Sequence, residues 1–403
     1  MNKQLKIVIG LCICLCFIGI SVCFFSSSPV NGFSRPQPEI LTAPTPTPAP
    51  TVKPAEKVSF IAAGDNLIHG MLYLQAAARA NNNGYDFGYP YENIESYIKQ
   101  FDIKFINQET LVNDAFAPST YPQFSSPTAL GERMIDVGFN VFGTSNNHSY
   151  DKGEAGIKSS LEFWNSKSDV TNVGFYTGND DYDIKYRTTN GIKMAFLAYT
   201  AYTNGLSIYD DTSPYVIFAD NYEVIQRQIK AAKENSDIVI VSCHWGVEGT
   251  NDISQQQKDT ASKLSEFGAD VIIGTHPHVI QTVEVVSNEV NDNKTLVCYS
   301  LGNFISAQSA ANNMLGGMFQ FDIVKTYTDP QGSYEITVEN PYLVPIITHY
   351  DYNYSNIRNY LLKDYTPELA KAHGVRALDG GFSLDNMEWI VNNYIPQEYL
   401  LYK

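Results

Sequence analysis

The chain has 403 residues and a formal net charge of −16, with 44% hydrophobic and 17% charged residues, so it can bury a substantial core and is not disordered throughout. The acidic balance excludes nucleic acid as an expected partner, because a phosphate backbone requires a basic face. It also predicts repulsion of an anionic polymer unless a cation or a local basic patch lies between the two.

Residues 7–25 form the uncharged apolar run IVIGLCICLCFIGISVCFF, which follows Lys3 and Lys6. A membrane-spanning helix needs roughly 20 such residues, and preceding lysines favour a cytoplasmic N-terminus. We predict a signal-anchor helix over residues 1–28, which makes this a single-pass protein of the cell membrane with an extracytoplasmic domain. The alternatives are a cleaved signal peptide, whose apolar core is usually shorter, and a lipoprotein modified at Cys23, for which Val22 is too large.

Residues 29–56 are rich in proline, threonine and alanine, as in TAPTPTPAPTVKP. Such a composition favours an extended, stiff spacer over a helix or a strand. A plain disordered linker is the alternative. Both interpretations place this segment outside the folded domain.

From residue 57 onward, short apolar runs alternate with amphipathic ones, which predicts an α/β domain over residues 57–350 with a mainly parallel core and a later antiparallel portion. Residues 351–403 are expected to form a C-terminal extension that packs on this domain. Cys243 and Cys298, its two cysteines, are expected to be buried free thiols. The predicted strands are 58–63, 103–107, 139–144, 193–200, 237–243, 270–274, 295–300, 318–324 and 334–338. The predicted helices are 69–80, 91–100, 127–138, 153–166, 221–235 and 254–268.

Polar side chains follow the ends of the first three predicted strands. Asp65 follows the first in GDNLIHG, Glu109 the second in INQET, and Asn147 and His148 the third in SNNHSYD. Ligands of open α/β sheets bind at the carboxyl ends of strands, so these side chains are expected to meet. Asp151 is expected to orient an imidazole. Each string taken alone is equally compatible with a turn, a helix cap or a paired buried acid.

Three more histidines follow later strands. His244 comes directly after an apolar run, and His276 and His278 flank Pro277 in GTHPHV. Proline disfavours helical backbone in the residue before it, so we expect an extended segment whose two imidazoles project to the same side. Gly274 is expected to allow a tight turn. Hydrogen-bonded core histidines are the structural alternative.

Taken together, these residues predict a metal site. A mixture of imidazole, carboxylate and amide suits Mn, Fe or Zn better than Ca or Mg, and two ions about 3.5–4 Å apart are compatible with it. The candidate metal ligands are Asp65, Glu109, Asn147, His244, His276 and His278, with His148 as the catalytic acid or base. The additional candidates are His69, Asp151, Glu248 and Asn303.

Seven strings occur in one order over about residues 58–325: GDNLIHG, YPYENI, INQET, NNHSYDKGEAG, HWGVE, GADVIIGTHPHVIQ and YSLGNF. They resemble the motifs of the CapA family of capsule and poly-γ-glutamate biosynthesis proteins, which is related in fold to the calcineurin-like metallophosphatases. The resemblance implies a two-sheet sandwich flanked by helices, in an αββα arrangement, with divalent metal.

The same resemblance implies roles for individual residues. Glu109 stands where the phosphatases have a metal-bridging Asp, and His148 matches their catalytic His. Leu67 occupies the position of the His in their Asp-x-His motif, and His69 lies two residues beyond it. The implied metal ligands are Asp65, Asn147, His244, His276 and His278.

Three functions are open at this point. The first is a membrane-anchored CapA-like protein in synthesis, export or attachment of an anionic polymer such as poly-γ-glutamate, with membrane synthase subunits as partners. Whether such a protein is a metal-dependent hydrolase is open. The second is a phosphoesterase or wall-peptide hydrolase unrelated to capsule. The third is a non-catalytic subunit that binds or assembles the polymer.

Overall fold

The computed structural model describes residues 51–177, 183–207, 215–288 and 292–401. Two mixed β-sheets pack face to face, with helices on their outer sides. The expected two-sheet α/β architecture with flanking helices is therefore confirmed. The predicted anchor at residues 1–28 lies outside the described residues. Within the described ranges, no helix has the length and apolar character to cross a membrane.

Fourteen strands and eight α-helices are described. The strands are β1 (Glu56–Asn66), β2 (Ile103–Asn107), β3 (Val141–Gly143), β4 (Thr171–Val173), β5 (Lys185–Thr189), β6 (Ile192–Thr200), β7 (Ile238–His244), β8 (Val271–Thr275), β9 (Val283–Ser287), β10 (Lys294–Cys298), β11 (Asn303–Ile305), β12 (Leu315–Tyr327), β13 (Tyr334–Asp351) and β14 (Ser355–Leu361). The helices are α1 (Gly70–Arg79), α2 (Glu95–Ile98), α3 (Thr128–Val137), α4 (Gly153–Asn165), α5 (Tyr222–Asn235), α6 (Gln255–Phe267), α7 (Pro367–Ala372) and α8 (Leu384–Tyr394).

The first sheet has the order β14-β13-β12-β1-β2-β3-β4, with β11 beside the end of β1, and the second has the order β5-β6-β7-β8-β10-β9. β1 to β4 are parallel to one another, as are β6, β7, β8 and β10. β12, β13 and β14 of the first sheet and β5 and β9 of the second pair antiparallel with their neighbours. The predicted parallel core with an antiparallel portion is confirmed. Parallel strands end at one edge, and that edge carries the site.

The core between the sheets is built from alternate residues of their strands. Phe60 of β1 stacks on Phe321 of the same sheet with ring centroids 4.6 Å apart and on Phe196 of the other sheet at 6.4 Å. In β7, Ile240 belongs to this central core, whereas Val241 belongs to a second core under α5 and α6. This period of two is what a strand buried on both faces requires.

Helices cover the outer faces because each has one apolar side. Trp164 of α4 stacks on Phe142 of β3, with centroids 4.3 Å apart. α6 begins with a capping box in which the Ser254 hydroxyl accepts the N–H of Gln257. It ends at Gly268, whose φ of 110° is open to glycine at little cost.

The helix predicted over residues 91–100 is wrong. A 3₁₀ turn at Tyr89–Tyr91 and the single-turn α2 occupy this stretch instead. Tertiary contacts override the local preference here: the Tyr91 hydroxyl donates to Oδ1 of Asn66, and Nδ2 of Asn93 donates to the carbonyl of Asn359.

The first sheet continues past residue 350, where the sequence pattern predicts the end of the domain. β13 runs to Asp351, and β14 pairs with it antiparallel. The later residues also contact the domain, since the N–H of Leu401 donates to the carbonyl of Leu343 at 3.1 Å. Strands β4, β5, β9, β11 and β14 were not predicted. Cys243 and Cys298 are buried free thiols, as expected.

Candidate metal and catalytic site

The site lies where β1, β2, β7 and β8 end, with Asp65 at its base. Asp65 is fully buried, and its backbone N–H donates to the carbonyl of Gly302 at 2.9 Å. Oδ1 accepts from Nδ2 of Asn107 at 2.7 Å, and Oδ2 lies 3.0 Å from Nδ1 of His278. These contacts fix the carboxylate in one orientation.

Glu109 is the least satisfied group of the site. It is buried, and neither carboxylate oxygen has a hydrogen-bond partner among the described residues. Oε1 lies 3.9 Å from Nε2 of His244 and 3.8 Å from Nε2 of His278. Burial raises the pKa of Glu109 well above its ordinary value, and the nearby Asp65 carboxylate raises it further. Buried polar atoms normally have partners, so this carboxylate fits a site built for a cation.

His244 is fully buried at the end of β7. Nδ1 lies 3.0 Å from Oγ1 of Thr275, and Nε2 lies 3.0 Å from Oδ1 of Asn147 and 3.1 Å from Nδ1 of His276. Burial lowers the pKa of His244 well below its ordinary value, and the neighbouring imidazoles lower it further. The ring is therefore neutral, which is the form in which histidine binds metal.

His276 and His278 both reach the site, but the predicted extended segment is wrong. Their φ angles are 99° and 60°, so both lie in the left-handed region that disfavours non-glycine residues. Gly274 is not a turn residue either. It belongs to β8, and a Cβ there would lie 1.9 Å from the carbonyl oxygen of Tyr299.

The two imidazoles of this loop differ in charge. Burial lowers the pKa of His276 to about 4, and the proximity of His278 adds to the effect. Burial also opposes the charge on His278, but the carboxylates of Glu109 and Asp65 raise its pKa to about 9. The proton on His278 thus supplies positive charge beside two carboxylates, and it has to leave before this imidazole can bind a metal ion.

His148 and Asp151 form a separate pair next to the metal candidates. Nδ1 of His148 lies 2.7 Å from Oδ2 of Asp151, as expected for an oriented imidazole. The ring packs edge-on against Phe124, with centroids 4.7 Å apart. Because Nδ1 faces the carboxylate, Nε2 is the nitrogen that remains to exchange a proton.

The three remaining candidates, His69, Glu248 and Asn303, form no hydrogen bond or ion pair with the proposed metal ligands in the part of the chain that is described. His69 is half-buried, and its Nδ1 accepts the N–H of Ala307 at 3.2 Å. Burial lowers the pKa of His69 to about 4. Glu248 is exposed at a cleft beside His276. Asn303 is buried, its Nδ2 lies 2.7 Å from Oε1 of Gln308, and its Oδ1 has no described partner.

Sequence reasoning missed several residues that contact the site. Asn107 lies between Asp65 and His244, with Nδ2 3.4 Å from Nδ1 of the histidine. Asn107 is a polar residue at the end of a buried strand, which is the same sequence pattern that identified the other candidates. Thr275 and Phe124 carried no such signal, since a threonine in a strand and a loop phenylalanine are ordinary residues.

Three of these side chains can hold a metal ion in the part of the chain that is described. Asp65, Glu109 and His278 offer ligand atoms that all lie within 4.8 Å of one another. Asn147, His244 and His276 line the same space through the contacts given above, and their role as ligands stays a prediction.

Residues 59–308 match the family model described as bacterial capsule synthesis protein PGA_cap. The chain belongs to this family. The match contains every candidate site residue, from Asp65 to Asn303.

Two curated proteins are similar to this PGA_cap chain. The PGA biosynthesis protein CapA of Bacillus subtilis (strain 168) is 34% identical over 205 residues, which cover 51% of each chain. The capsule biosynthesis protein CapA of Bacillus anthracis is 29% identical over 257 residues, which cover 60% of this chain and 59% of the relative. The matches thus span only about half to three-fifths of these relatives.

Solved structures overlap with this PGA_cap chain more distantly. The NAD nucleotidase NadN of Haemophilus influenzae has a TM-score of 0.42 and 14% identity, covering 84% of this chain and 60% of its own. A hypothetical protein from Thermus thermophilus has a TM-score of 0.40 and 12% identity, covering 71% of this chain and 99% of its own.

Proposed function

We propose that this chain is a membrane-anchored, extracytoplasmic CapA-like protein that acts in synthesis, export or attachment of an anionic polymer such as poly-γ-glutamate. Its family membership and the names of its two Bacillus relatives support the proposal. The apolar run at residues 7–25 and the proline-rich segment after it support the anchored location. Membrane synthase subunits are the expected partners.

We further propose a divalent metal site of the Mn, Fe or Zn type. The unpartnered carboxylate of Glu109 is the observation that carries it, because a cation beside a buried carboxylate without hydrogen-bond donors stabilises its charged form. The proposed ligands are Asp65, Glu109, Asn147, His244, His276 and His278. A metal ion bound there supplies a Lewis acid and a water of lowered pKa.

The chain's own residues perform the proton transfer in this proposal. Asp151 accepts the Nδ1–H of His148 and stabilises the imidazolium form of the ring, from which Nε2 donates a proton to a leaving group. Phe124 packs on the ring and limits its movement. The reaction class is hydrolysis of an amide or a phosphoester.

A second candidate function is favoured by Leu67. This buried apolar side chain stands at the position of the phosphatase motif histidine, so one implied ligand is missing. A chain with such an incomplete set can bind polymer without cleaving it. The non-catalytic assembly subunit is therefore the alternative.

Elemental analysis of the purified full-length chain tests the metal site. The wild type and His373→Gln, which alters a buried histidine elsewhere, are expected to retain metal, and the double variant His276→Ala/His278→Ala is expected to lose it. Equal metal content in all three would remove the metal site from the proposal.

An activity assay separates the candidate functions. The same protein is incubated with γ-linked glutamyl peptides and with a generic phosphodiester in the presence of Mn²⁺. Cleavage of the peptides supports the capsule hydrolase, and cleavage of the phosphodiester alone supports a phosphoesterase. Metal binding without cleavage of either supports the assembly subunit.

A further inference from the structure

A cleft of about 460 Å³ opens beside His276, next to the candidate metal site. Its described walls include Tyr202, Asn204, Phe218 and Glu248. None of these four side chains takes part in the metal site proposed above. The cleft therefore offers a place for a part of the substrate that does not react.

Two aromatic rings form part of the walls. The Tyr202 ring lies 5.0 Å from the His276 ring, centroid to centroid, and its hydroxyl donates to Oε1 of Gln256 at 3.3 Å. Phe218 is 38% exposed, which is high for an aromatic side chain and leaves its surface open to a ligand. Aromatic faces attract cations through the ring quadrupole.

Glu248 adds a carboxylate that no lysine or arginine of the described residues pairs with, although its charge helps to raise the pKa of His278. It is exposed and forms no ion pair or hydrogen bond with the described residues. A ligand that enters the cleft thus meets one accessible carboxylate, that of Glu248.

The segments that form this cleft contain no lysine or arginine. Residues 194–226 and 234–257 contain neither lysine nor arginine. The same is true of residues 58–78, 105–132, 264–293 and 295–324, which supply most of the site end of both sheets. A substrate carboxylate in the cleft would find no lysine or arginine among the lining residues, whereas a substrate cation would find both a carboxylate and aromatic faces.

We propose that this cleft binds the ammonium group of a primary amine, held by Glu248 and by the rings of Tyr202 and Phe218. Resting on the proposed function, the amine is the free amino end of a γ-glutamyl or wall-peptide chain, whose following bonds extend toward His276. The polymer is thus recognised through its single cationic end.

Binding measurements on the full-length chain, with a chelator present, test the subsite. A γ-glutamyl tripeptide with a free amino end is compared with its N-acetylated form by calorimetry. We expect the free amine to bind about 10-fold more tightly, and this preference to fall below about 2-fold in Glu248→Gln. The control Glu335→Gln, an exposed acid on β13, is expected to keep the preference.

A second pair of ligands, an amine and an alcohol of the same chain length, tests ammonium binding without a γ-glutamyl peptide. Hexylamine is expected to bind more tightly than 1-hexanol to the wild type, but not to Glu248→Gln. Such a preference without tripeptide binding supports the amine subsite and counts against the γ-glutamyl assignment. Equal binding of amine and alcohol, or an unchanged preference in Glu248→Gln, overturns the subsite. So does tight binding of a neutral chitotriose that depends on Glu248, since hydroxyl groups would then be the ligand.

Discussion

Oδ2 of Asp151 lies 2.7 Å from Nδ1 of His148 and accepts the backbone N–H of Phe124 at 2.6 Å. One carboxylate oxygen thus orients both the imidazole and the residue that packs on it. Asp151→Asn presents an amide that can donate to Nδ1 and so select the wrong tautomer. We expect cleavage of γ-glutamyl peptides to fall about 10–100-fold, the usual cost of losing such an orienting partner.

The metal content of Asp151→Asn is expected to stay at the wild-type level, because Asp151 contacts none of the proposed ligands. Asp259→Asn, on the exposed side of α6, serves as the control and is expected to leave the rate unchanged. If Asp151→Asn lost metal and activity together, His148 and Asp151 would belong to the metal site itself and would not form a separate proton donor next to it.

If Glu109 binds the metal ion, adding the ion should raise the free energy of unfolding only in proteins that retain this carboxylate. A ligand that binds only the native state raises the free energy of unfolding by about 2.7 kcal/mol at 100 times its dissociation constant. We expect Mn²⁺ to raise the urea midpoint of the wild type and of Glu335→Gln, and to have little effect on Glu109→Gln. An equal shift in Glu109→Gln would mean that this carboxylate does not bind the ion.

The buried His373 predicts a loss of stability in acid. Its Nε2 donates to the carbonyl of Thr348 at 3.0 Å, and its Nδ1 accepts the N–H of Val375 at 3.1 Å. Burial lowers its pKa to about 3, and the neighbouring His349 contributes. The folded pKa lies below the unfolded value, so the unfolded chain binds the proton first as the pH falls from about 6.5.

The free energy of unfolding is therefore expected to fall between about pH 6.5 and about pH 3, with a slope of up to about 1.4 kcal/mol per pH unit from this residue. In His373→Gln this slope should be absent, although the variant starts from a lower stability at pH 7. Urea unfolding at several pH values measures both slopes. Parallel curves for the two proteins would exclude His373 as the source.

There is no room for a side chain at Gly274, two residues before His276. A Cβ there would lie 1.9 Å from the carbonyl oxygen of Tyr299 and 2.7 Å from Nε1 of Trp245. Because the first of these atoms belongs to the backbone, Gly274→Ala is expected to cost about 1–3 kcal/mol or more. Gly380→Ala, where no atom lies within 4 Å, should stay within about 0.5 kcal/mol. Similar urea midpoints for the two variants would contradict this interpretation of β8.

The buried strands and the residues at their ends could be predicted from the sequence. β7 and β8 are largely apolar because both of their faces are covered; His244 is the last residue of β7, and His276 directly follows β8. The same logic located Asp65. The polar groups stand out because they interrupt runs that the core requires to be apolar.

Features that depend on distant partners could not be predicted. β14 has the polar sequence SNIRNYL and is a strand because it pairs with β13. β9 is largely exposed and owes its place to β10. The helix predicted over residues 91–100 is broken by contacts with residues far along the chain. The backbone of His276 and His278 is likewise set by the tertiary structure around it, against the local preference imposed by Pro277.

The positive φ angles of His276 and His278 have an evolutionary consequence. A non-glycine residue in this region costs of order 1–3 kcal/mol, so a glycine at either position would stabilise the fold while removing an imidazole. In a lineage with no use for these side chains, random substitution would favour that change. A chain that keeps histidines with positive φ on both sides of Pro277 therefore retains these two imidazoles at a cost in stability.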